Sequence, residues 1–332
     1  MKKWFLILLM VVMVLSMMVS GYSIGCAAEP LELKWNQMMS AEHPWTIVGE
    51  LICQEVTKRS DGRLKLIQYP AGTLGTQQEG IEMLRMGSLA FLTSGPAILT
   101  SFDEDVSIFP LPYLFRDKEH AYKVCETKIV QDMFNDVILK KSGVRTIAFW
   151  YYGDRVLTTK NLPVYKPSDL AGVKIRCLDN RVSKDVIKAL GASPIPVAFT
   201  ELYLGLQTGV VQGQENPITT IYDQKYYEVQ NYIINTKHSV HMGTVHVSEK
   251  IWQQLSESDQ KLILDVFKEY QPMIDQKIDE ASKIDLQKMV DDFGVKVIDP
   301  DITAFREYAN KYIMEVYGEK WGDLIKQIQA IE

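Results

Sequence analysis

The chain of 332 residues carries 42 acidic and 36 basic residues, and a formal net charge of −6 argues against a nucleic-acid-binding surface. Hydrophobic residues make up 46% of the chain, as in a globular protein, and the length exceeds what one hydrophobic core normally fills, so we predict two domains. If such an acidic protein binds an anion, it must concentrate positive charge locally, because its overall field repels the ligand.

Residues 1–28 have the three-part plan of a secretory signal peptide. Lys2 and Lys3 precede an apolar run from Phe5 to Val19, and small residues follow around Gly25. This run is shorter than the roughly 20 apolar residues that cross a bilayer as a helix. We therefore expect residues 1–28 to be removed, which would leave a soluble periplasmic or otherwise extracytoplasmic protein with a net charge of about −8.

The four cysteines bear on the N-terminus and on disulfide bonding, and one of them, Cys26, allows two interpretations of the N-terminus. Residues 23–26 read Ser-Ile-Gly-Cys and resemble a bacterial lipobox, although Ser23 stands where a leucine is usual. Cys26 is then either the lipid-anchored first residue of the mature chain, or it is discarded by ordinary cleavage near residue 28. The odd set of Cys53, Cys125 and Cys177 predicts no complete disulfide framework, and we expect three small core residues.

Strands and helices alternate through the first half of the mature chain. The patterns predict strands at residues 31–35, 64–67 and 89–93, with helices at 45–59 and 77–86 that end near Gly62 and Gly87. A further strand at 144–151 runs into the polar residues 152–155, where we predict a crossing into the second domain. Such alternation is typical of a mainly parallel α/β sheet that is covered by helices on both faces.

The same alternation returns after this crossing. Strands are predicted at 173–178 and 195–198, and helices at 183–190, 201–208 and after Pro217. A strand at 240–247 would return to the first domain, and a helix-rich part would begin at Ser256, where Asp259 fits a helix start. The predicted lobes are 29–152 plus 242–281 and 153–241 plus 282–332. A cleft between two lobes is a preferred ligand site.

Arg176 is the leading candidate for a ligand contact. Apolar and polar residues alternate through 173–178, so Arg176 lies on the opposite strand face from Ile175. A guanidinium matches a carboxylate with a planar fork of donors, although a surface ion pair is the alternative. Asn216 precedes Pro217, which is typical of an ordinary helix start, but a helix start at a cleft can also hold an anion.

Other polar residues are open to more than one interpretation. Arg155 fits either a ligand contact or an ion pair with an acidic neighbour, and His43 either reaches the cleft or lies on a loop. His238, His241 and His246 suggest a metal, but their separations along a strand place His241 on the opposite face from the other two, so we predict neither metal nor cofactor. We find no GxSxG, HExxH or glycine-rich phosphate motif of an enzyme.

Several stretches together resemble one family over nearly the whole mature chain. They include LPYLFRD at 111–117 with His120, PSDLAGVKIR at 167–176, LGASP at 190–194 and GQENP at 213–217. The pattern is similar to the periplasmic solute-binding subunits of TRAP transporters, in particular the DctP-like family. This resemblance implies an α/β, two-lobed, periplasmic-binding-protein-like fold of type II with a helix-rich C-terminal part.

The resemblance also implies which residues bind. It gives Arg176 the role of a clamp on the ligand carboxylate, and the supporting residues that it implies are Arg155, Asn216 and Phe199 from the second lobe and Asn36, His43, Gln78 and Ser94 from the first.

The ligand that the resemblance implies is an organic acid, delivered to TRAP membrane permease subunits. We favour a hexuronate or other sugar acid, with C4-dicarboxylates and branched oxo acids open; residues 94–98 lack the acid and arginine of sialic-acid-binding members. The alternatives are an extracellular lyase or hydrolase acting on acidic sugars, and a protein that presents its ligand to a membrane sensor.

Overall fold

The computed structural model describes residues 29–332, so the predicted leader and Cys26 lie outside the described residues. The first segment contains strands β1 (Leu31–Gln37), β2 (Leu64–Tyr69) and β3 (Phe91–Ser94), and helices α1 (Pro44–Arg59) and α2 (Gln77–Met86). Strand β1 pairs in parallel with β2 and β3. The predicted elements are confirmed here, including the end of α2 at Gly87, which adopts the left-handed conformation that glycine tolerates.

A helical segment follows β3 that the sequence patterns did not assign. It contains 3₁₀ turns at Pro96–Leu99 and Glu104–Ile108, helices α3 (Lys118–Glu126) and α4 (Lys128–Asp132), a π-helical turn at Met133–Ile138 and helix α5 (Leu139–Ser142). Phe134 and Phe149 pack edge to face with ring centroids 5.1 Å apart. The segment is therefore held by aromatic burial against the next strand.

The second segment begins with strand β4 (Val144–Thr159), which does not end at residue 151 as predicted. Then come strand β5 (Lys174–Cys177), helix α6 (Arg181–Ala189), strand β6 (Ser193–Pro196), helix α7 (Leu202–Thr208), strand β7 (Gly213–Pro217) and helix α8 (Ile218–Asp223). Strand β5 pairs in parallel with β6 and β7, so the predicted α/β alternation is confirmed here as well.

Strand β8 (Tyr232–Ser248) returns antiparallel to β4 along nearly its whole length. The two long strands occupy the middle of one sheet, whose order is β2-β1-β3-β8-β4-β7-β5-β6. Their register shifts three times, once beside Gly153 and once beside residue 156. Both strands run through the predicted crossing as continuous strands because antiparallel pairing satisfies their backbone groups there.

The chain ends with helix α9 (Glu249–Trp252), helix α10 (Glu257–Phe293), strand β9 (Lys296–Ile298) and helix α11 (Ile302–Gln329). Ser256 caps α10 by accepting a hydrogen bond from the backbone N–H of Asp259, as predicted. Cys53, Cys125 and Cys177 are buried free thiols, as expected. Within residues 29–332 no helix is both long and apolar enough to cross a membrane.

Helix α11 packs in two separate hydrophobic cores. Phe305 near its start packs with Leu157 and Ile298, whereas Trp321 packs in the larger core that contains Leu111. At the C-terminal end of α11, the guanidinium of Arg116 donates hydrogen bonds to the carbonyls of Gln329 (2.7 Å) and Ile331 (2.5 Å). The assignment of residues 282–332 to the second lobe stays a prediction, and the final turns of α11 contact residues 111–116 of the first segment.

Candidate functional site

Arg176 is a buried cation at the end of β5. Its side chain is 3% exposed, and its Nε donates a hydrogen bond to the carbonyl of Val197 at 2.9 Å. Its Nη2 is buried without a partner, and the guanidinium carbon lies 5.9 Å from the centre of the Phe199 ring. No carboxylate of residues 29–332 forms an ion pair with it, so the surface ion pair considered from the sequence is wrong.

The surroundings of Arg176 disfavour an isolated charge. Burial lowers the pKa of the guanidinium because the charged form loses its water. The hydroxyl of Tyr226 is likewise buried without a partner. A buried charge and buried donors without acceptors cost free energy unless an anion completes them. The geometry therefore fits an anionic ligand that meets Arg176.

Arg155 is a buried cation of a different kind, because it has a partner inside the protein. Its Nε pairs with the Glu215 carboxylate, and its Nη2 donates to Glu215 Oε1 at 2.8 Å and to the Glu215 carbonyl at 2.7 Å. Nη2 also lies 3.1 Å from Asn216 Oδ1. The acidic neighbour that the sequence allowed is thus Glu215 on the adjacent strand β7, not Asp154.

Glu215 remains ionised because of this pairing. Burial would raise the pKa of its carboxyl, but the charge of Arg155 and hydrogen bonds from Arg155 and His238 hold the pKa well below its usual range. His238 lies 3.2 Å from Glu215 through Nε2 and 2.8 Å from the Thr236 hydroxyl through Nδ1. Arg155 can therefore offer hydrogen-bond donors to a ligand, but its charge is already neutralised.

Asn216 lies in β7 and does not start a helix. Its Nδ2 donates to Gln214 Oε1 at 2.5 Å, and its Oδ1 accepts from Arg155. Helix α8 begins beyond Pro217, which occupies the cap position with no side-chain hydrogen bond. The expectation of an ordinary helix start at Asn216 is wrong, because strand pairing with β4 extends to Pro217.

The histidines of β8 are arranged differently from the prediction. His238 and His241 line the same cavity beside Arg155, whereas His246 is buried between Thr146 and Thr244. The alternation fails because the register of β8 shifts there and Lys237 adopts a positive φ of 41°. Burial lowers the pKa of His241 to about 3. In the described part of the chain no three metal-binding side chains form a candidate metal site.

Two adjoining chambers occupy the cleft. A narrow chamber of about 80 Å³ is lined by Arg155, Arg176, Glu215 and Asn216, and a wide chamber of about 510 Å³ shares Gln77, Ala97, Leu178 and Phe199 with it. The wide chamber adds six uncharged polar residues, two acids and five apolar residues. The polar ones are Thr76, Gln78, Thr100, Ser101, Asn180 and Thr200, and the acids are Asp179 and Glu201. The cleft thus has a charged inner end and a polar outer end.

The expected first-lobe contacts separate into two groups. Gln78 lines the wide chamber, but Asn36, His43 and Ser94 line neither chamber. Asn36 donates to the Gly75 carbonyl at 3.1 Å, and the Ser94 hydroxyl lies 3.4 Å from the Gly95 carbonyl. His43 caps α1 by accepting from the backbone of Trp45 at 3.2 Å. These three side chains contact backbone groups of the protein, and their contact with a ligand stays a prediction.

Several lining residues had no assigned role in the sequence analysis. They are Gln77, Tyr152, Glu215, Ser239 and His241. Glu215 lies inside the GQENP stretch, and Gln77 precedes Gln78, so both were within reach of sequence reasoning. Tyr152 and Ser239 carry no local signal, because their position depends on the pairing of β4 with β8.

The DctP family, described as bacterial extracellular solute-binding proteins of family 7, matches residues 35–320. The chain belongs to this family. It is a periplasmic-type solute-binding subunit that works with TRAP membrane permease subunits, and it is not an enzyme. This family 7 protein has the two-lobed α/β fold of its solved relatives.

Three similar proteins illustrate the range of ligands. The 2,3-diketo-L-gulonate-binding periplasmic protein of Escherichia coli K12 is 30% identical over 83% of this chain and 84% of its own length. A TRAP solute-binding protein of Citrobacter koseri with bound D-glucuronate is 28% identical, with a TM-score of 0.84 over 91% of this chain and all of that chain. One from Sulfurospirillum deleyianum with bound succinate is 26% identical, with a TM-score of 0.84 over 91% and 99%.

Proposed function

We propose that this family 7 protein binds a sugar acid, such as a hexuronate or an aldonate, with the carboxylate on Arg176. The observation that carries this proposal is the buried guanidinium, which has an unpartnered Nη2 and no carboxylate among residues 29–332 that neutralises it. Arg155, Asn216 and Phe199 surround the same inner end of the cleft. A planar guanidinium in such a site suits a carboxylate better than a neutral sugar.

The sizes of the chambers support an acid with a polar extension. About 10–15 Å³ of such space holds one water-sized group, so the narrow chamber accommodates only a carboxylate and a few further atoms. The rest of a six-carbon acid then occupies the wide chamber, where Gln77, Gln78 and Asn180 offer amides to its hydroxyls. A sugar acid uses both chambers, as the diketogulonate and glucuronate of the relatives would.

The proposal divides the chain into lobes of 29–152 plus 242–281 and 153–241 plus 282–332, with α11 as a bridge. The division coincides with a register shift, since Tyr151 pairs with Met242 and Gly153 with His241. Gln78 belongs to the first lobe and Arg176 to the second. A ligand that contacts both lobes stabilises their closed arrangement.

A thermal-shift screen tests this function. The mature protein is heated with hexuronates, aldonates, C4-dicarboxylates, branched oxo acids and the matching neutral sugars, each at millimolar concentration. A ligand at 100 times its Kd adds about 2.7 kcal/mol to the free energy of unfolding, so its class stands out as a shift of a few degrees. The proposal would be contradicted if neutral sugars stabilised the protein. It would also be contradicted if no sugar acid did.

The proposal includes export through the leader of residues 1–28. Cys26 is either the lipid-modified first residue or is removed, and the sequence supports both alternatives. Intact-mass measurement of the protein from its native membranes and periplasm distinguishes them, because a diacylated N-terminal cysteine adds a lipid mass to a chain that begins at residue 26. A mass that includes residues 1–25 would contradict removal of the leader.

A further inference from the structure

Positive charge is scarce around the two chambers. Among the residues of 29–332 that line them, the cations are Arg155 and Arg176, with no lysine. Glu215 pairs with Arg155 through both carboxylate oxygens, so that ion pair brings no net charge to a ligand. The two arginines and this glutamate therefore leave one surplus positive charge, which lies on Arg176.

The wide chamber has acids where a second carboxylate would lie. Asp179 and Glu201 line it, and the nearby Lys184 is already 2.6 Å from Asp179. The other polar groups of this chamber are amides and hydroxyls, which form hydrogen bonds with the hydroxyl groups of a ligand and need no charge on that ligand. The outer end of the cleft is thus neutral to acidic.

Two helix starts also border the wide chamber, and a helix start can attract an anion. The start of α2 is closed by a capping box, in which Thr76 accepts from the backbone of Glu79 and the Glu79 carboxylate accepts from the backbone of Thr76 at 2.7 Å. The start of α6 is capped by Asn180, which accepts from the backbone of Ser183 at 2.8 Å. Oxygen atoms of the chain already occupy both starts, and one of them carries a negative charge.

We propose that this cleft selects acids with a single carboxylate and an uncharged, hydroxylated far end, and that it rejects dicarboxylates of the same length. The inference rests on the proposed function, since it assumes that the first carboxylate meets Arg176. A second carboxylate would lose water on closure, would find no cation without a partner, and would face Glu201 beside the neutralised pair of Asp179 and Lys184. Selection then comes from the charge around the cleft as well as from its shape.

Calorimetric titration of the mature protein with matched acids tests the inference. The pairs share their carbon skeleton and differ in one end group: gluconate with glucarate, galactonate with galactarate, and erythronate with meso-tartrate. Titrations at pH 7.5 and constant ionic strength keep every carboxylate ionised. In each pair that binds, the dicarboxylate should bind at least about tenfold more weakly, which corresponds to about 1.4 kcal/mol.

A gain of charge provides the reciprocal experiment. Gln78 is an exposed residue at the wide-chamber end of α2, and Gln78→Arg places a cation there. We expect this variant to raise the affinity for the dicarboxylate relative to its partner by about tenfold or more. Met86→Arg adds the same charge at the exposed far end of the same helix, away from the cleft, and should leave the ratio unchanged.

The outcomes separate the inference from the function on which it rests. Equal affinities within the pairs would overturn the inference and leave sugar-acid binding intact. A ratio that stays the same in Gln78→Arg would also overturn it, because rejection would then not depend on charge. Failure of every monocarboxylate to bind would overturn the proposed function, and the inference with it.

Discussion

Arg155 and Arg176 show that two arginines in one chamber can have different tasks. Arg155 donates hydrogen bonds to the Glu215 carboxylate and is neutralised by it, so it is a fixed part of the wall. Arg176 has one hydrogen bond, to the carbonyl of Val197, and otherwise faces the cleft and the Phe199 ring. A buried ion without a counter-ion raises the free energy of the folded protein. An anion that binds at Arg176 removes this penalty.

Arg176→Lys should weaken the binding of acids while the protein stays folded. Lysine keeps the charge but lacks the planar fork, and a charged hydrogen bond contributes about 1.5–3 kcal/mol, so we expect roughly a 10- to 150-fold higher Kd. Calorimetric titration with the acid found by the thermal screen measures the change. Arg59→Lys, in an exposed ion pair with Glu55 and Glu269, is the matched control and should bind normally. Wild-type affinity in Arg176→Lys would refute the clamp assignment.

At the scale of elements, irregularities in β4 and β8 build the site. Gly153 has a φ of 117° and Lys237 a φ of 41°, and the pairing of the two strands shifts near both. These shifts turn His238, Ser239 and His241 toward one chamber, which a regular alternating strand would not do. The site therefore depends on departures from regular sheet geometry.

Gly153→Ala should destabilise the protein and disturb the cleft. A Cβ there would lie 2.9 Å from the Cβ of Pro217, and the backbone already has a left-handed φ that alanine disfavours. We expect the free energy of unfolding, measured with urea in the absence of ligand, to fall by about 1–3 kcal/mol.

Gly143→Ala is the control for this prediction. Its φ is 69°, but a Cβ at residue 143 would meet no atom within 4 Å, so only the backbone cost applies. We expect a smaller loss of stability and normal affinity. If both variants lost the same stability, contact with Pro217 would have no measurable role.

At the scale of the whole molecule, burial of uncharged histidines couples folding to pH. Burial lowers the pKa of His43 to about 4, against the opposing charge of Asp223, and burial lowers the pKa of His241 and His246 to about 3. Unfolded histidines bind protons below about pH 6.5. Their contribution to stability is thus full above that pH and is lost as the pH falls toward 3–4. Burial raises the pKa of Asp275 and Asp285 to about 6 and also raises the pKa of Asp154, which opposes part of this loss.

The free energy of unfolding should therefore be lower at pH 5 than at pH 7. Each proton taken up on unfolding contributes a slope of about 1.4 kcal/mol per pH unit. The histidines outweigh the opposing acids, because an unfolded histidine takes up its proton at about pH 6.5, whereas folded Asp275 and Asp285 take up theirs at about pH 6. Urea unfolding at steps of half a pH unit measures the slope. His246→Gln should reduce the slope by the contribution of one proton, about 1.4 kcal/mol per pH unit. A stability that stays constant from pH 7 to 5 would mean that the folded histidines are protonated.

Local patterns in the sequence determined much of the molecule. Alternation and helical periodicity predicted most strands and helices, because an element that buries one face repeats its apolar residues at a fixed spacing. Gly87 and Ser256 marked helix ends through backbone conformation and capping, which are equally local. The strand pattern already singled out Arg176, whose side chain is buried in the cleft, and the resemblance to the DctP family added the two-lobed fold and the expected role of this arginine as a clamp.

Only the tertiary structure decided how the side chains meet. Arg155 and Glu215 are sixty positions apart and pair because β4 and β7 lie side by side, so no local pattern could show that one cation is neutralised and the other is not. The local roles of His43 and Asn216 were open for the same reason, since one caps a helix and the other lies in a paired strand, and their contact with a ligand stays a prediction. The sequence thus determined which groups are available, and long-range packing decided which of them face the ligand.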